Sequence, residues 1–512
     1  MNINDLLEIT ASICPDRKGF VYKNQSLTFS ELEHKVNDLT DILINMGIKN
    51  GDRIFYFNTN SIDWITIVFA STKIGAVVVP INYRSKSNEL QFMLNDSEPS
   101  IIFAGNRYHD LIKNAISNSK SNPICVNIEG ELSDGWIDLE NVTRKDKNEL
   151  DNYNSIALLV YTAGTTNTPK AVILNHSSFC EFALNNLEPP DPEFSEVNLL
   201  SVPLYHVAGI QTLISGIYSG RTTVIQDQFE AKNWMDLVDI HKVNRVMLVP
   251  TMLKQIIDNE EFDNYNFDSL KVITYGAAPM PISVLKDAII KFPNSNFINA
   301  FGQTETAATI TSLGPEDHKI TGTEEDQKLK LKRLTSIGKP LPDVEIKIVN
   351  DKDEDVEPFV IGEIIAKGDR IMSGYWNNKE ATNSVLQNGW LYTGDLGYFD
   401  ADGYIFLSGR AKDFIKRGGE MISPEEIEQI MYGHSSISEV AVIGLPDDQW
   451  GEIVVAVVGL KDSEILDQEE ILDFCKNKLS GYKRPEKIIL VDKLPRNSMG
   501  KILKKDLRKK YS

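Results

Sequence analysis

Cysteine is scarce in this 512-residue chain. The four present, Cys14, Cys125, Cys180 and Cys475, lie far apart, with no CxxC pair and no Cys/His cluster. That argues against a disulfide framework and a zinc site, and it suits a reducing compartment. Long apolar runs are lacking too. The most apolar stretch, Trp64 to Ile81, is interrupted by Lys73 and Gly75 and reads as a buried helix running into a strand, so no integral membrane association is expected. The opening MNINDLLEIT has no basic region followed by an apolar run, so no secretory signal is expected there, and the expected location is cytoplasmic. Positive charge is in deficit: 53 Lys and Arg stand against 73 Asp and Glu, a formal net charge of −20. A partner in the form of nucleic acid is therefore disfavoured, because phosphate neutralisation needs a basic surface. Internal repeats and low-complexity segments are absent.

What is present is an ordinary globular balance, 42% apolar and 25% charged. At about 150 residues per unit the length gives three to four domain-sized pieces. Helical and strand patterns alternate. Leu27 to Met46 reads as a helix capped by Ser30. Strands are expected at Arg53–Phe57, Ala76–Pro80, Ile101–Ala104, Ala157–Tyr161, Asn198–Val202, Thr222–Ile225, Arg245–Val249 and Val272–Thr274. Such alternation predicts an α/β fold of parallel sheets covered by helices. Between Pro315 and Pro340 the chain is charged and apolar-poor, the pattern of a mobile loop. After Gly338 short strands dominate, predicting a β-rich subdomain. From about Arg410 a compact α+β unit of about one hundred residues begins. The expected organisation is an N-terminal domain over 1–409, a hinge over 410–413 and a small mobile C-terminal domain over 414–512. Charge is uneven: residues 483–512 hold 11 basic and 3 acidic side chains. That tail is either a solvated helix or an attractor for a polyanionic small molecule.

One loop carries chemistry. Tyr161-Thr162-Ala163-Gly164-Thr165-Thr166-Asn167-Thr168-Pro169-Lys170 follows a strand, is rich in Gly and Thr, and ends in lysine. It offers backbone N–H groups, hydroxyls and an ammonium to phosphate oxygens. It is not a Walker loop: the second glycine is replaced by Pro169 and the Ser/Thr after the lysine by Ala171. Further segments follow in order: Tyr205-His206, Gly276-Ala277-Ala278-Pro279, Phe301-Gly302-Gln303-Thr304-Glu305, Tyr392-Thr393-Gly394-Asp395, Gly409-Arg410-Ala411-Lys412-Asp413, Gly418-Gly419-Glu420 and Pro495-Arg496-Asn497-Ser498-Met499-Gly500-Lys501. Together, over nearly the whole chain, they resemble the signatures of the adenylate-forming superfamily, within it the AMP-forming acyl-CoA synthetases. The loop departs from the family's commonest form at Ala163, Asn167 and Ala171.

The resemblance implies a two-step reaction: a carboxylate attacks the α-phosphorus of ATP to give acyl-AMP, and the thiol of coenzyme A then displaces AMP. The first step brings two anions together, and at about 4 Å with an effective dielectric near 20 their repulsion is on the order of 4 kcal/mol. A cation between them offsets it. Lys501 matches the family's bridging lysine, and Thr165, Glu305 and His206 complete the implied catalytic set. The implied ATP and AMP contacts are Thr162, Gly164, Thr165, Thr166, Lys170, Gly276, Ala277, Ala278, Phe301, Gly302, Gln303, Thr304, Asp395 and Arg410. Glu305 and Thr165 would hold Mg2+, a hard ion that prefers oxygen ligands. Phe301 would stack adenine or sit in the core. Asp395 would accept from both ribose hydroxyls, or is a plain turn residue. The acyl pocket would be lined by Tyr205, His206, Val207, Gly209, Tyr275, Ala307 and Ala308. Gly418 and Gly419 would flank the coenzyme A thiol path, with Lys483 and Arg484 as phosphate contacts or plain surface charges. Lys412 matches the hinge position.

The pocket residues are small, apolar or aromatic, and no arginine lies between Tyr275 and Thr311. That disfavours a dicarboxylate. An aliphatic (fatty) monocarboxylic acid leads, and an aryl or arylpropenoic acid follows. Delivery of the acyl group to a separate carrier protein, adenylate oxidation, and a nucleotide-binding regulator without catalysis are the competing readings. The regulator would have no use for Glu305, Asp395 and Lys501 together.

Overall fold

The computed structural model describes residues 1–139, 142, 154–162, 169–418, 420–461, 467–476, 478–496 and 502–512. Among these, strands assemble into sheets of nine, eight, five and five strands. The eight-stranded sheet runs in the order Gly374–Tyr375, Lys170–Asn175, Ile156–Thr162, Val77–Pro80, Arg53–Phe57, Ile101–Gly105, Ile124–Glu129, Ile137–Asp138. The nine-stranded sheet runs Lys339–Pro340, Ala308–Leu313, Asn296–Gln303, Val272–Gly276, Arg245–Leu248, Val197–Leu200, Thr222–Ile225, Lys18–Tyr22, Gln25–Thr28. Their interiors are parallel, as helix–strand alternation predicts, but antiparallel pairs close one edge of the eight-stranded sheet and both edges of the nine-stranded one. The strand after the Gly/Thr loop pairs antiparallel with the one before it, and Ala308–Leu313 pairs antiparallel with Asn296–Gln303. Helices such as Ile62–Lys73 and Val207–Tyr218 bury apolar faces between the sheets. The largest apolar cluster joins Trp64, Phe69, Val160, Ile210, Leu213 and Ala307.

Two local expectations are corrected. The first long helix is Phe29–Asn45, and its cap is Thr28, not Ser30. The Thr28 hydroxyl accepts the Glu31 N–H at 3.1 Å while Glu31 accepts the Thr28 N–H at 2.8 Å. Ser30 already lies inside the first turn, so its side chain has no free N–H to cap. The span 315–340 is not a loop throughout: it holds helices Pro315–His318 and Glu324–Arg333. Thr323 and Asp326 form a capping box there, and Glu324 pairs with Lys328 at 2.8 Å. Acidic residues fill the first turn and Lys330, Lys332 and Arg333 the last, complementing the helix dipole. No residue of this helix is buried, so it carries none of the apolar periodicity by which a helix is read from sequence.

Residues Glu345–Val349, Gly362–Lys367, Leu386–Gln387, Trp390–Phe399 and Ile405–Arg410 make the β-rich sheet. After it, Ala411–Asp413 form one 3-10 turn. The last sheet follows, built from Ile415–Arg417, Glu420–Ile422, Ile437–Asp447, Gly451–Leu460 and Lys487–Val491, with helices Pro424–Met431, Gln468–Lys476 and Lys504–Tyr511. It has its own apolar core around Ile427, Val440, Val454, Val458 and Ile471. The final helix is tied back to the 3-10 turn by an Arg508–Asp413 ion pair at 3.0 Å. Trp450 stays 43% exposed. Its ring lies 3.1 Å from where a Cβ on Gly418 would stand, and the Arg417 guanidinium sits 5.5 Å from its centroid.

Candidate active site

The carboxyl ends of the central strands and the β-rich sheet converge on Asp395, which is 6% exposed. Gln303 Nε2 donates to Asp395 Oδ2 at 2.6 Å and to the Thr393 carbonyl at 3.0 Å. Arg410 Nε pairs with Asp395 Oδ1 at 2.5 Å, and its Nη1 donates to the same Thr393 carbonyl at 3.1 Å. Three sequence segments thus meet on one carboxylate. Beside it, Glu363 accepts the Gly394 N–H at 2.9 Å, and burial raises the Glu363 pKa.

The floor beside this cluster is close-packed backbone. A Cβ on Gly276 would stand 2.0 Å from the Ala300 carbonyl oxygen, and one on Gly302 would stand 1.5 Å from that of Ala308. Only glycine lets these strands approach so closely. Ala277, Ala307 and Ala308 adopt φ values of 64°, 50° and 81°. Such backbone costs on the order of 1–3 kcal/mol per residue and gathers at functional sites. Phe301 is half-buried against the β-rich subdomain's apolar cluster. Thr304 opens the 3-10 turn Thr304–Thr306 that carries Glu305, and Ala278 is exposed.

Glu305 is held by a residue that sequence reasoning missed. Tyr375 donates its phenol hydrogen to Glu305 Oε1 at 2.9 Å, and the Met372 N–H bonds the Glu305 carbonyl at 2.9 Å. Burial, and the neighbouring carboxylate, keep the Tyr375 pKa well above its usual value, so it remains a donor. Lys170 Nζ lies 4.9 Å from the Tyr375 ring centroid. Thr162 and Lys170 are the last cross-strand pair before the loop, with Thr162 Oγ1 donating to the Lys170 carbonyl at 3.3 Å. Tyr375 therefore stands between Lys170 and the Glu305 carboxylate. A short two-residue strand, Gly374–Tyr375, places the phenol; nothing in its sequence spacing marks it. Among the described residues, Glu305 Oε2 has no hydrogen-bond partner, and Mg2+ held there would shield phosphate charge, with most ligands supplied by phosphate oxygens and water.

The second cluster borders the first. His206 immediately precedes helix Val207–Tyr218, and its side chain makes no capping hydrogen bond among the described residues. Burial, then the charge of Arg84, lowers its pKa to about 4, so the imidazole is neutral at pH 7. Its ring lies 4.4 Å from that of Tyr205, which packs edge-on against Tyr83 at 5.4 Å. Val207, Ala307 and Ala308 belong to one buried apolar cluster. Gly209 sits in the first turn of the helix, where a Cβ would meet the Pro203 carbonyl at 2.5 Å. Tyr275 is buried and shares a hydrogen bond with His318 Nε2 at 2.9 Å.

Other candidates are placed elsewhere. Lys483 forms an ion pair with Glu426 at 2.7 Å. Arg484 donates to the Leu479 and Lys476 carbonyls, both at 2.9 Å, at the end of helix Gln468–Lys476. Lys412 lies in the 3-10 turn between the sheets, and Gly418 against Trp450. Gly164, Thr165, Thr166, Gly419 and Lys501 lie outside the described residues.

Comparison with known proteins fixes the family. A model described as AMP-binding enzyme matches residues 7–376, and one described as AMP-binding enzyme C-terminal domain matches 426–501. The chain belongs to the AMP-binding enzyme family. Among relatives, an indoleacetate–CoA ligase of Aromatoleum aromaticum is 28% identical, over 99% of this chain and 98% of that protein. The long-chain-fatty-acid–CoA ligase FadD13 of Mycobacterium tuberculosis is 31% identical, over 100% and 99%. The o-succinylbenzoate CoA synthetase of Bacillus subtilis, solved with its acyl-adenylate intermediate, superposes with a TM-score of 0.85 at 28% identity, covering 98% of this chain and 97% of that one. The family's mixed α/β fold, with a large N-terminal part and a smaller C-terminal one, is the fold described above. Among the described residues, no helix is long and apolar enough to cross a membrane.

Proposed function

We propose that this protein is an ATP-dependent carboxylic acid–CoA ligase acting through an acyl-AMP intermediate. The observation that carries this reading is the convergence of Gln303 and Arg410 on Asp395, with both donors also holding the Thr393 carbonyl. A buried carboxylate held from two sides is a preset acceptor for vicinal ribose hydroxyls, since each oxygen keeps acceptor capacity after one hydrogen bond. Family membership supplies the reaction class. Lys501 is assigned the bridge between substrate carboxylate and α-phosphate, and Lys170 with the 162–166 segment the terminal phosphates. His206, neutral and half-buried, positions the acid; a base this weak takes no proton at pH 7. A coenzyme A thiol already holds a few per cent thiolate there.

The C-terminal unit, 414–512, is assigned a rotation about 410–413 between the two steps. That lets one cleft exclude water from both and protects the mixed anhydride. The acid is assigned as an aliphatic monocarboxylic acid, in line with the apolar Val207–Ala307–Ala308 cluster and the fatty-acid relative. The aryl alternative is favoured by the Tyr83–Tyr205–His206 aromatic stack. The assigned location is the cytoplasm, where ATP and coenzyme A are both available. A pyrophosphate-release assay over a panel of acids, with and without coenzyme A, tests the proposal. Release followed by a CoA thioester is the expected result. Release with no thioester points instead to an enzyme that loads a carrier, and no release with any acid points to a nucleotide-binding regulator.

A further inference from the structure

Gln211 is buried, 7% exposed, in helix Val207–Tyr218. It lies one turn beyond Val207 and so shares its face. Across from it stands Thr309, the residue after Ala308. The Gln211 carbonyl Oε1 accepts the Thr309 N–H at 3.3 Å and the Thr309 hydroxyl at 3.2 Å. A backbone N–H can only donate, so the amide orientation is fixed: the oxygen faces the strand and the NH2 faces away from it. Among the described residues, Gln211 Nε2 has no hydrogen-bond partner. An amide donor buried without an acceptor is rare and calls for a ligand or a cost in stability. The Gln211–Thr309 contact joins residues just beyond the two segments assigned to the acyl pocket, 207–209 and 307–308, and Val207, Ala307 and Ala308 form one apolar cluster with Ile210.

We infer that Gln211 is a specificity-determining residue, and that the acid activated here carries a neutral oxygen acceptor on its chain. A keto, ether, amide or hydroxyl oxygen would satisfy Nε2. A second carboxylate would not, because a single neutral amide leaves a buried anion largely uncompensated. This inference rests on the ligase reading and narrows its substrate to a monocarboxylic acid whose otherwise apolar chain is interrupted once. A site built to hydrogen-bond a substrate group discriminates strongly against the analogue that lacks it, since the site's own donor is then left unpaired.

The test compares straight-chain acids with their mono-oxo counterparts of equal length, the oxo group being moved along the chain, with CoA-thioester formation followed at saturating ATP and coenzyme A. For the unaltered protein, kcat/KM for one oxo isomer should exceed that of its parent acid at least tenfold. In Gln211→Leu that ratio should fall to within twofold of unity. Gln211→Glu keeps the shape and the Thr309 contacts but replaces the donor with an acceptor, and should lose the ratio as well. A general packing defect lowers both acids together and leaves the ratio where it was. The inference is overturned if parent acids are turned over and no oxo isomer is preferred, or if both variants retain the preference. If no acid of either series yields a thioester, the ligase reading itself fails.

Discussion

A carboxylate that already accepts from Gln303 and Arg410 has its orientation set before any ribose arrives. Replacing Asp395 by Asn removes the charge that holds Arg410 and half of the acceptor capacity. We expect the KM for ATP to rise about tenfold, equivalent to ~1.4 kcal/mol, in the pyrophosphate-release assay. Lys501→Ala should abolish adenylation while sparing thioester formation from supplied acyl-AMP; equal loss of both steps would contradict its assigned role. Titration offers a separate check. Burial lowers both His176 and His206 to about 4 from 6.5. The unfolded chain therefore binds protons that the folded one refuses between those values, and stability falls as pH drops from about 6.5 to about 4, where both forms are protonated and the loss levels off. His176→Gln, measured by denaturant midpoint across that range, should show a shallower acid slope.

At the level of strands and helices, neighbouring positions make opposite demands: one has no room for a Cβ and the other holds one at a backbone angle that favours glycine. Gly276→Ala sets a Cβ against the Ala300 carbonyl and should force the two strands apart, with loss of folded protein on expression. Ala277→Gly relieves a φ of 64° and should hold stability or raise it by up to about 1 kcal/mol, read from the denaturant midpoint. Most parallel strands were legible because each is a short apolar run flanked by turns and helices. The Glu324–Arg333 helix was not, because it is held by a cap, a dipole and surface charge rather than by a buried stripe. The candidate site divides in the same way. Asp395, Arg410 and Gln303 sit in motifs dense enough to read. Tyr375 and Gln211 acquire meaning only through partners far off in the chain, Glu305 and Thr309, and linear spacing carries no trace of that.

Over the whole molecule, the proposed mechanism asks one short turn, 410–413, to serve two geometries. Fixing φ at Lys412 with proline stiffens that turn. Lys412→Pro should therefore slow thioester formation from acyl-AMP much more than acyl-AMP formation itself, read by separate single-turnover measurements of the two steps. Unchanged overall turnover would remove the rotation from the scheme. The Arg508–Asp413 pair, 3.0 Å long, binds the last helix to that same turn. Motion there must carry the helix along or break the pair.

The half-exposed indole of Trp450, seated on Gly418 with the Arg417 guanidinium above its ring, furnishes a native optical probe. Its emission reports the polarity and quenching around the assigned thiol path; Trp64 and Trp234 are fully enclosed, and replacing the other three tryptophans, Trp136, Trp376 and Trp390, by Phe isolates that signal. Titrating coenzyme A into adenylate-loaded protein while watching the emission wavelength would time the arrival of the second substrate without any label.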